Sequence, residues 1–173
     1  MQTKKEGFTL IEMLVTLTIL AVISVFAYPL FTNQLTNIEA SKVKRMVVTT
    51  LKEAKASSYA YRTNVLVCFL DENNRCQKMG NQRLVSFYDK NNNKKYDMNT
   101  DSLITSNPLS LKYGKLRLQA GSRDYIRFAA ETGMPRGHFG NIKYCTNQKR
   151  TIQQFKITFN QTGKFTVTNL SEC

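Results

Sequence analysis

Tryptophan is absent from the 173 residues, and histidine occurs once, as His138 in "PRGHFG". No Cys-x-x-Cys pair exists, and His138 has no cysteine or carboxylate near it in sequence. A zinc site of the usual Cys/His spacing is therefore excluded, and no metal ligand set is expected. Glycine is sparse, with eight residues, and none is arranged as a phosphate-cradling loop. No nucleophile motif is followed by a matched base. These absences remove the common catalytic constellations, so the chain is read as a non-enzyme without a cofactor. Acidic residues are also scarce: 12 Asp+Glu stand against 25 Lys+Arg, a net charge of +13. Such a balance attracts polyanions or acidic partners, without choosing between them.

The apolar residues present are concentrated. From Phe8 to Phe31 the chain reads FTLIEMLVTLTILAVISVFAYPLF, 24 residues with one charge, Glu12. This is too long for the core of a secretory signal peptide, and no small-residue cleavage site follows directly behind it. It is long enough to span a membrane, since about 20 residues cross the hydrocarbon. A plain anchor does not account for Glu12, because a carboxylate at depth costs about 2.5–3.5 kcal/mol on insertion scales. Beyond the run, Val43, Met46, Val47, Leu51 and Ala54 fall within one helical arc, with Lys42, Lys44, Arg45, Lys52 and Lys55 filling much of the remainder. One helix is expected from Phe8 to about Arg62.

After Arg62 the pattern alternates. Short strands are expected over 64–70, 83–88, 101–105, 111–118, 124–130, 140–146, 155–160 and 163–170, separated by Asn, Gly, Asp and Lys clusters. "ITFNQTGKFTV" reads as a closing hairpin. The expected fold is α+β, a long helix on an antiparallel sheet. In "DKNNNKKYD", Asp89, Asn91 and Asn93 have EF-hand-like spacing. Lys94 stands at the glycine place, however, and Thr100 at the place of the bidentate glutamate. A polar turn is the better reading. Four cysteines, Cys68, Cys76, Cys145 and Cys173, all follow the apolar run. If the basic N-terminus stays inside a bacterial inner membrane, they lie in an oxidising compartment, with two disulfides and three connectivities open.

The junction Gly7-Phe8-Thr9-Leu10-Ile11-Glu12 resembles the processing site of type IV prepilins, in which a prepilin peptidase cuts after the glycine. The resemblance implies a leader 1–7, removal after Gly7 and N-methylation of Phe8. It implies a transmembrane and polymerisation helix 8–31, an amphipathic continuation 32–62 and a β head 63–173. Glu12 becomes the fifth residue of the processed chain, an assembly residue that pairs with the amino group at Phe8 of a neighbouring subunit. Pro29 matches a helix-loosening proline late in the run. The fold implied is the type IV pilin fold. Pilin-like heads frequently close their C-terminal region with a disulfide, which supports pairing Cys145 with Cys173 and leaves Cys68 with Cys76 across "FLDENNR".

The head is similar to the GspH/FimT family in "FYDKNNNKKYDMNTDSLI", "YIRFAAETGMPRG", "NIKYC" and "ITFNQTGKFTV". That similarity implies a minor pilin, FimU-like or FimT-like, at a pilus tip, priming assembly. Its partners would be other major and minor pilins, the prepilin peptidase and an inner-membrane assembly platform. The chain would be single-pass in the inner membrane with a periplasmic head, and afterwards part of the pilus at the cell surface. Two alternatives stand beside this. One is a GspH-like pseudopilin of type II secretion. The other is a DNA-binding minor pilin acting in natural transformation. Some FimT-like proteins bind DNA through Gly-Arg-x-Arg, and the matching place here is Gly163-Lys164-Phe165-Thr166, with only Lys164 basic. The candidate DNA-contacting residues are Lys164, Arg136, Lys143, Lys149 and Arg150, with Lys112, Lys115, Arg117, Arg123 and Arg127 as further basic positions of the head.

Overall fold

The structure is a computed structural model and describes residues 9–135, 137, 139–146 and 154–173. Helix α1 runs Leu10–Tyr61. Nine strands follow: β1 Val65–Leu70, β2 Cys76–Gln77, β3 Arg83–Tyr88, β4 Ser102–Pro108, β5 Gly114–Gln119, β6 Tyr125–Phe128, β7 Gly140–Thr146, β8 Gln154–Phe159 and β9 Phe165–Leu170. By internal contacts the chain divides into two units after Leu35. The fold is a long helix packed on an antiparallel β head, the α+β arrangement of type IV pilins.

In the first unit the apolar side chains of α1 are exposed from Leu10 through Phe31. The threonine and serine hydroxyls along this stretch are satisfied within the helix. Thr16, Thr18 and Ser24 donate to the carbonyls of Met13, Val15 and Leu20 at 2.8–2.9 Å. Back-bonding of this kind withdraws the Thr and Ser donors from the apolar surface. The segment is long and apolar enough to cross a membrane. Pro29 lies inside the helix, which continues through it.

In the second unit Ala40, Val43, Val47, Leu51 and Ala54 of α1 are buried. Their 3-4 spacing places them on one stripe, and the small Ala40 and Ala54 let the helix approach the sheets closely. Each buried Val or Leu contributes about 1.5–3 kcal/mol relative to exposure. Against the stripe pack Val65, Val67 and Phe69 of β1, Ile126 and Phe128 of β6, and Leu116, Ile142, Tyr144, Phe155 and Ile157 of the later strands.

The head holds two sheets where the sequence pattern suggests one. The first has order β2-β1-β3-β4, with β6 also pairing β1. The second has order β5-β7-β8-β9. They meet at the segment before β3. The Gly80 N–H donates to the Leu116 carbonyl and the Leu118 N–H to that of Lys78, both at 2.8 Å. The opposite face of β1 and β3 (Leu66, Cys68, Leu70, Val85 and Phe87) forms a second small core with Cys76, Tyr96 and Tyr125. That double-sided burial explains why β1 is apolar at every position.

The short β2 was not expected, and several strand limits differ from the sequence pattern, two of them for a clear hydrogen-bonding reason. Residues 111–113 do not enter β5, because the Lys112 and Tyr113 N–H groups are taken by Glu39. β6 stops at Phe128, because the Ala129 N–H turns to the Met134 carbonyl and that of Ala130 to Asn64 Oδ1. β4 extends to Pro108, whose Cα partner is Arg83. Cys68 is joined to Cys76, and Cys145 to Cys173.

The "DKNNNKKYD" segment spends its carboxylates on itself. Asp89 accepts from the N–H groups of Asn93 and Lys94, and Asp101 from those of Lys90 and Asp97. Asp97 accepts from the side-chain amides of Asn91 and Asn93. Burial, reinforced by the Asp101 charge, pushes the Asp89 carboxyl up against the opposing pull of the backbone N–H groups, while the Asn91 and Asn93 amides hold Asp97 down. Among the described residues no group of three His, Cys, Asp or Glu side chains could hold a metal ion.

Candidate functional site

Two surfaces carry the chemistry the sequence singles out: the start of α1 and the outer face of the second sheet. At the first, Thr9 precedes the helix and Glu12 lies in its first turn. Glu12 Oε2 accepts from the Thr9 N–H at 3.3 Å, and the Glu12 N–H donates to Thr9 Oγ1 at 3.3 Å. This is a reciprocal capping box. It satisfies two N–H groups that the helix leaves without internal partners and places a carboxylate at the positive end of the helix dipole. The charge of Glu12 therefore has a local partner, which the sequence reading missed. The signal was there: Thr9-x-x-Glu12 ahead of an apolar run. The capping carboxylate remains exposed. Gly7 and Phe8 lie outside the described residues.

At the second surface, cross-strand register does what sequence spacing cannot. Arg117 of β5 is the Cα partner of Lys143 of β7, and Lys143 is the partner of Lys156 of β8. Lys156 in turn faces Thr168 of β9. The alternate residues Leu116, Leu118, Ile142, Tyr144, Phe155 and Ile157 are buried, so the three cations share the outer face. Lys115 lies on the same face two positions before Arg117. The other outward strand positions, among them Gln119, Asn141, Thr158 and Thr166, are uncharged. Like charges directly opposite one another are destabilising in a sheet. A row of three with no carboxylate between them is thus an anion-attracting surface maintained at a cost.

Of the basic residues singled out from sequence, the sheet brings Lys143 together with Arg117 and Lys115. Lys156 completes the row and was not among them, although the alternation of "FKITF" puts it outward. Lys164 sits apart, after the turn in which its N–H donates to Asn160 Oδ1. Arg123 and Lys112 are engaged elsewhere: Arg123 donates to the Gly137 carbonyl, and the Lys112 ammonium lies over its neighbour Tyr113. Arg136, Lys149 and Arg150 lie outside the described residues.

A third cluster, not foreseen, joins α1 to the second sheet. The Glu39 carboxylate accepts from the N–H groups of Lys112 (2.8 Å), Tyr113 (3.2 Å) and Gly114 (3.1 Å), and from the Tyr144 hydroxyl (2.7 Å). Burial first, then the bond to Glu39 and its charge, push the Tyr144 phenol far above its ordinary value. Gly114 has little alternative here, because an added Cβ would clash with the hydroxyl end of the Tyr144 ring.

Compared with known families, residues 2–28 match the prokaryotic N-terminal methylation motif. This motif is the type IV pilin-like prepilin signal, and it supports a structural pilin or pseudopilin processed by prepilin peptidase. No curated protein and no solved structure matches the chain.

Proposed function

We propose that the chain is a minor type IV pilin of the GspH/FimT kind, cut after Gly7, methylated at Phe8 and incorporated at a pilus tip, where it helps prime assembly. The observation that carries the reading is the match over residues 2–28, which runs from the polar leader into a helix whose apolar side chains are exposed from Leu10 to Phe31. On this reading 1–7 is the leader, 8–31 the membrane and polymerisation helix, 32–62 its amphipathic continuation and 63–173 the head. Before assembly the chain is a single-pass inner-membrane protein with its head in the periplasm. Its partners are the prepilin peptidase, the assembly platform and other pilins.

Glu12 acts in two steps on this view. In the unassembled subunit it caps its own helix through Thr9. In the fibre it turns to the new amino group at Phe8 of a neighbour, an exchange that compensates a buried charge and sets axial register. Pro29, which lacks an N–H, weakens the helix locally during that transfer. Co-expression with a prepilin peptidase, read by intact mass, tests the first half. The expected result is loss of residues 1–7 plus one methyl, abolished by Gly7→Asp; an unprocessed wild-type chain overturns it. Incorporation of Glu12→Ala into pili tests the second half. Undiminished incorporation would sink the pairing role.

A second reading, DNA binding in natural transformation, is favoured by the Arg117–Lys143–Lys156 row. A gel shift of the full chain in detergent with duplex DNA is expected to show binding that weakens steeply with salt. Replacing the three residues by alanine is expected to flatten the log–log salt slope by about 3, at roughly 0.9 per phosphate contact. An absence of binding at low salt removes this reading. Gene neighbourhood separates a pilus subunit from a GspH-like pseudopilin of type II secretion.

A further inference from the structure

The first sheet ends on a strand that is open along one side. Among the described residues β4 pairs only with β3. It carries no charged residue, and of the devices that blunt an edge it has only the proline at its end, Pro108. Beside it runs an open groove of about 710 Å³ between the edge and α1. The helix wall includes Ile38, Lys42, Arg45, Met46 and, at its far end, Glu53, and the strand wall Thr105. A bond from the Asn107 amide to Thr50 Oγ1 (3.1 Å) holds the two walls together. In the groove Asn37 Oδ1 is buried and has no hydrogen-bond partner.

The dimensions fit one kind of occupant. Helix residues 37–53 span about 25 Å. The seven residues of β4 present about 23 Å of unpaired backbone. An extended strand would satisfy that edge by strand addition and lay alternate side chains on Ile38, Met46 and the stems of Lys42 and Arg45.

The same molecule carries such a strand. β9 is the last strand of the second sheet and pairs only with β8 among the described residues. Val167 lies in register with the buried Ile157, yet it is 42% exposed, and among the described residues no strand pairs with β9 on its other side. The exposed Glu172 follows two residues after β9, opposite in sign to Lys42 and Arg45. We propose that the α1–β4 groove accepts β9 of a second copy of this chain, adding it as the next strand of the first sheet. Pairing β4 with β4 instead would bring two Lys42–Arg45 pairs together. Because donor and acceptor edges differ, the contact is heterologous, joining unlike edges of two copies. It serves the subunit reading given above, but depends only on the two edges.

The test places a photo-crosslinking benzoylphenylalanine at Ile38 of the full chain in detergent micelles and maps the crosslinked dimer by mass spectrometry. Crosslinks are expected in the peptide spanning 154–173. Lys42→Glu with Arg45→Glu is expected to lower their yield at least fivefold, and mixing those copies with Glu172→Lys copies is expected to restore it. These surface substitutions leave the core untouched, so circular dichroism should be unchanged. Failure to form a dimer overturns the proposal, as does failure of the charge swap to rescue. Crosslinks that map to residues 10–31 or to β4 overturn it too. Processing by prepilin peptidase is read separately, so the two readings fail independently.

Discussion

Glu39→Ala is expected to destabilise the head by about 3–5 kcal/mol. The substitution removes one acceptor from four donors at once: the N–H groups of Lys112, Tyr113 and Gly114, and the Tyr144 hydroxyl. Hydrogen bonds to a charged group are worth about 1.5–3 kcal/mol each, and a buried donor left unpaired costs more than the bond it replaced. Lys112 is exposed and recovers water, whereas Gly114 and Tyr144 are buried and do not. The effect therefore falls short of four full bonds. Glu39→Gln keeps an acceptor oxygen but turns an NH₂ toward N–H donors, so about 2–3 kcal/mol is expected. Denaturant unfolding of the full chain in detergent, followed by far-UV circular dichroism, measures both. The midpoint should move while the slope with denaturant stays constant. A loss below about 0.5 kcal/mol for Glu39→Ala, in the range of an ordinary surface change, would show that the cluster is not what joins α1 to the second sheet.

The second large effect belongs to the disulfides, and its size should follow the loops they close. The Cys145–Cys173 bridge spans 28 residues of sequence separation and the Cys68–Cys76 bridge spans 8. The chain-entropy relation gives about 3.6 kcal/mol for the longer loop and about 2.6 for the shorter. Cys145→Ala with Cys173→Ala should therefore cost about 1 kcal/mol more than Cys68→Ala with Cys76→Ala, if closure alone decides. Burial works the other way: Cys68 is 2% exposed within the second small core, while Cys173 is exposed. A larger loss for the 68–76 pair would show that packing of that core outweighs loop entropy. Thermal unfolding of the two double variants separates the cases.

Much of the fold was legible because it is local. A 24-residue apolar run with one charge specifies a helix whose apolar side chains stay exposed, and 3-4 spacing of Val43, Val47, Leu51 and Ala54 specifies its buried stripe. Period-2 alternation located the strands to within a few residues, since side chains must alternate between the faces of a sheet. The misplaced limits came from competitors distant in sequence. Residues 111–113 alternate like a strand, but Glu39, 73–74 positions earlier, had taken two of their N–H groups. The capping box at Thr9 and Glu12 was equally local and equally readable. It gives the Glu12 carboxylate a partner in its own chain, three residues away.

By itself the sequence determined the class of protein. The junction at Gly7 and Phe8, the apolar helix behind it and the alternating strands follow from residue order alone, because each is set by neighbours within a few positions. Only the tertiary structure decided the surfaces. Arg117, Lys143 and Lys156 form a row because β5, β7 and β8 pair in one register, and a slip of one residue would have turned those cations into the core. Glu39 binds Tyr144 across 105 residues. The open edges of β4 and β9 exist because the head closes as two sheets rather than one. Long-range pairing leaves no mark in local pattern, since many registers satisfy the same alternation and packing selects one.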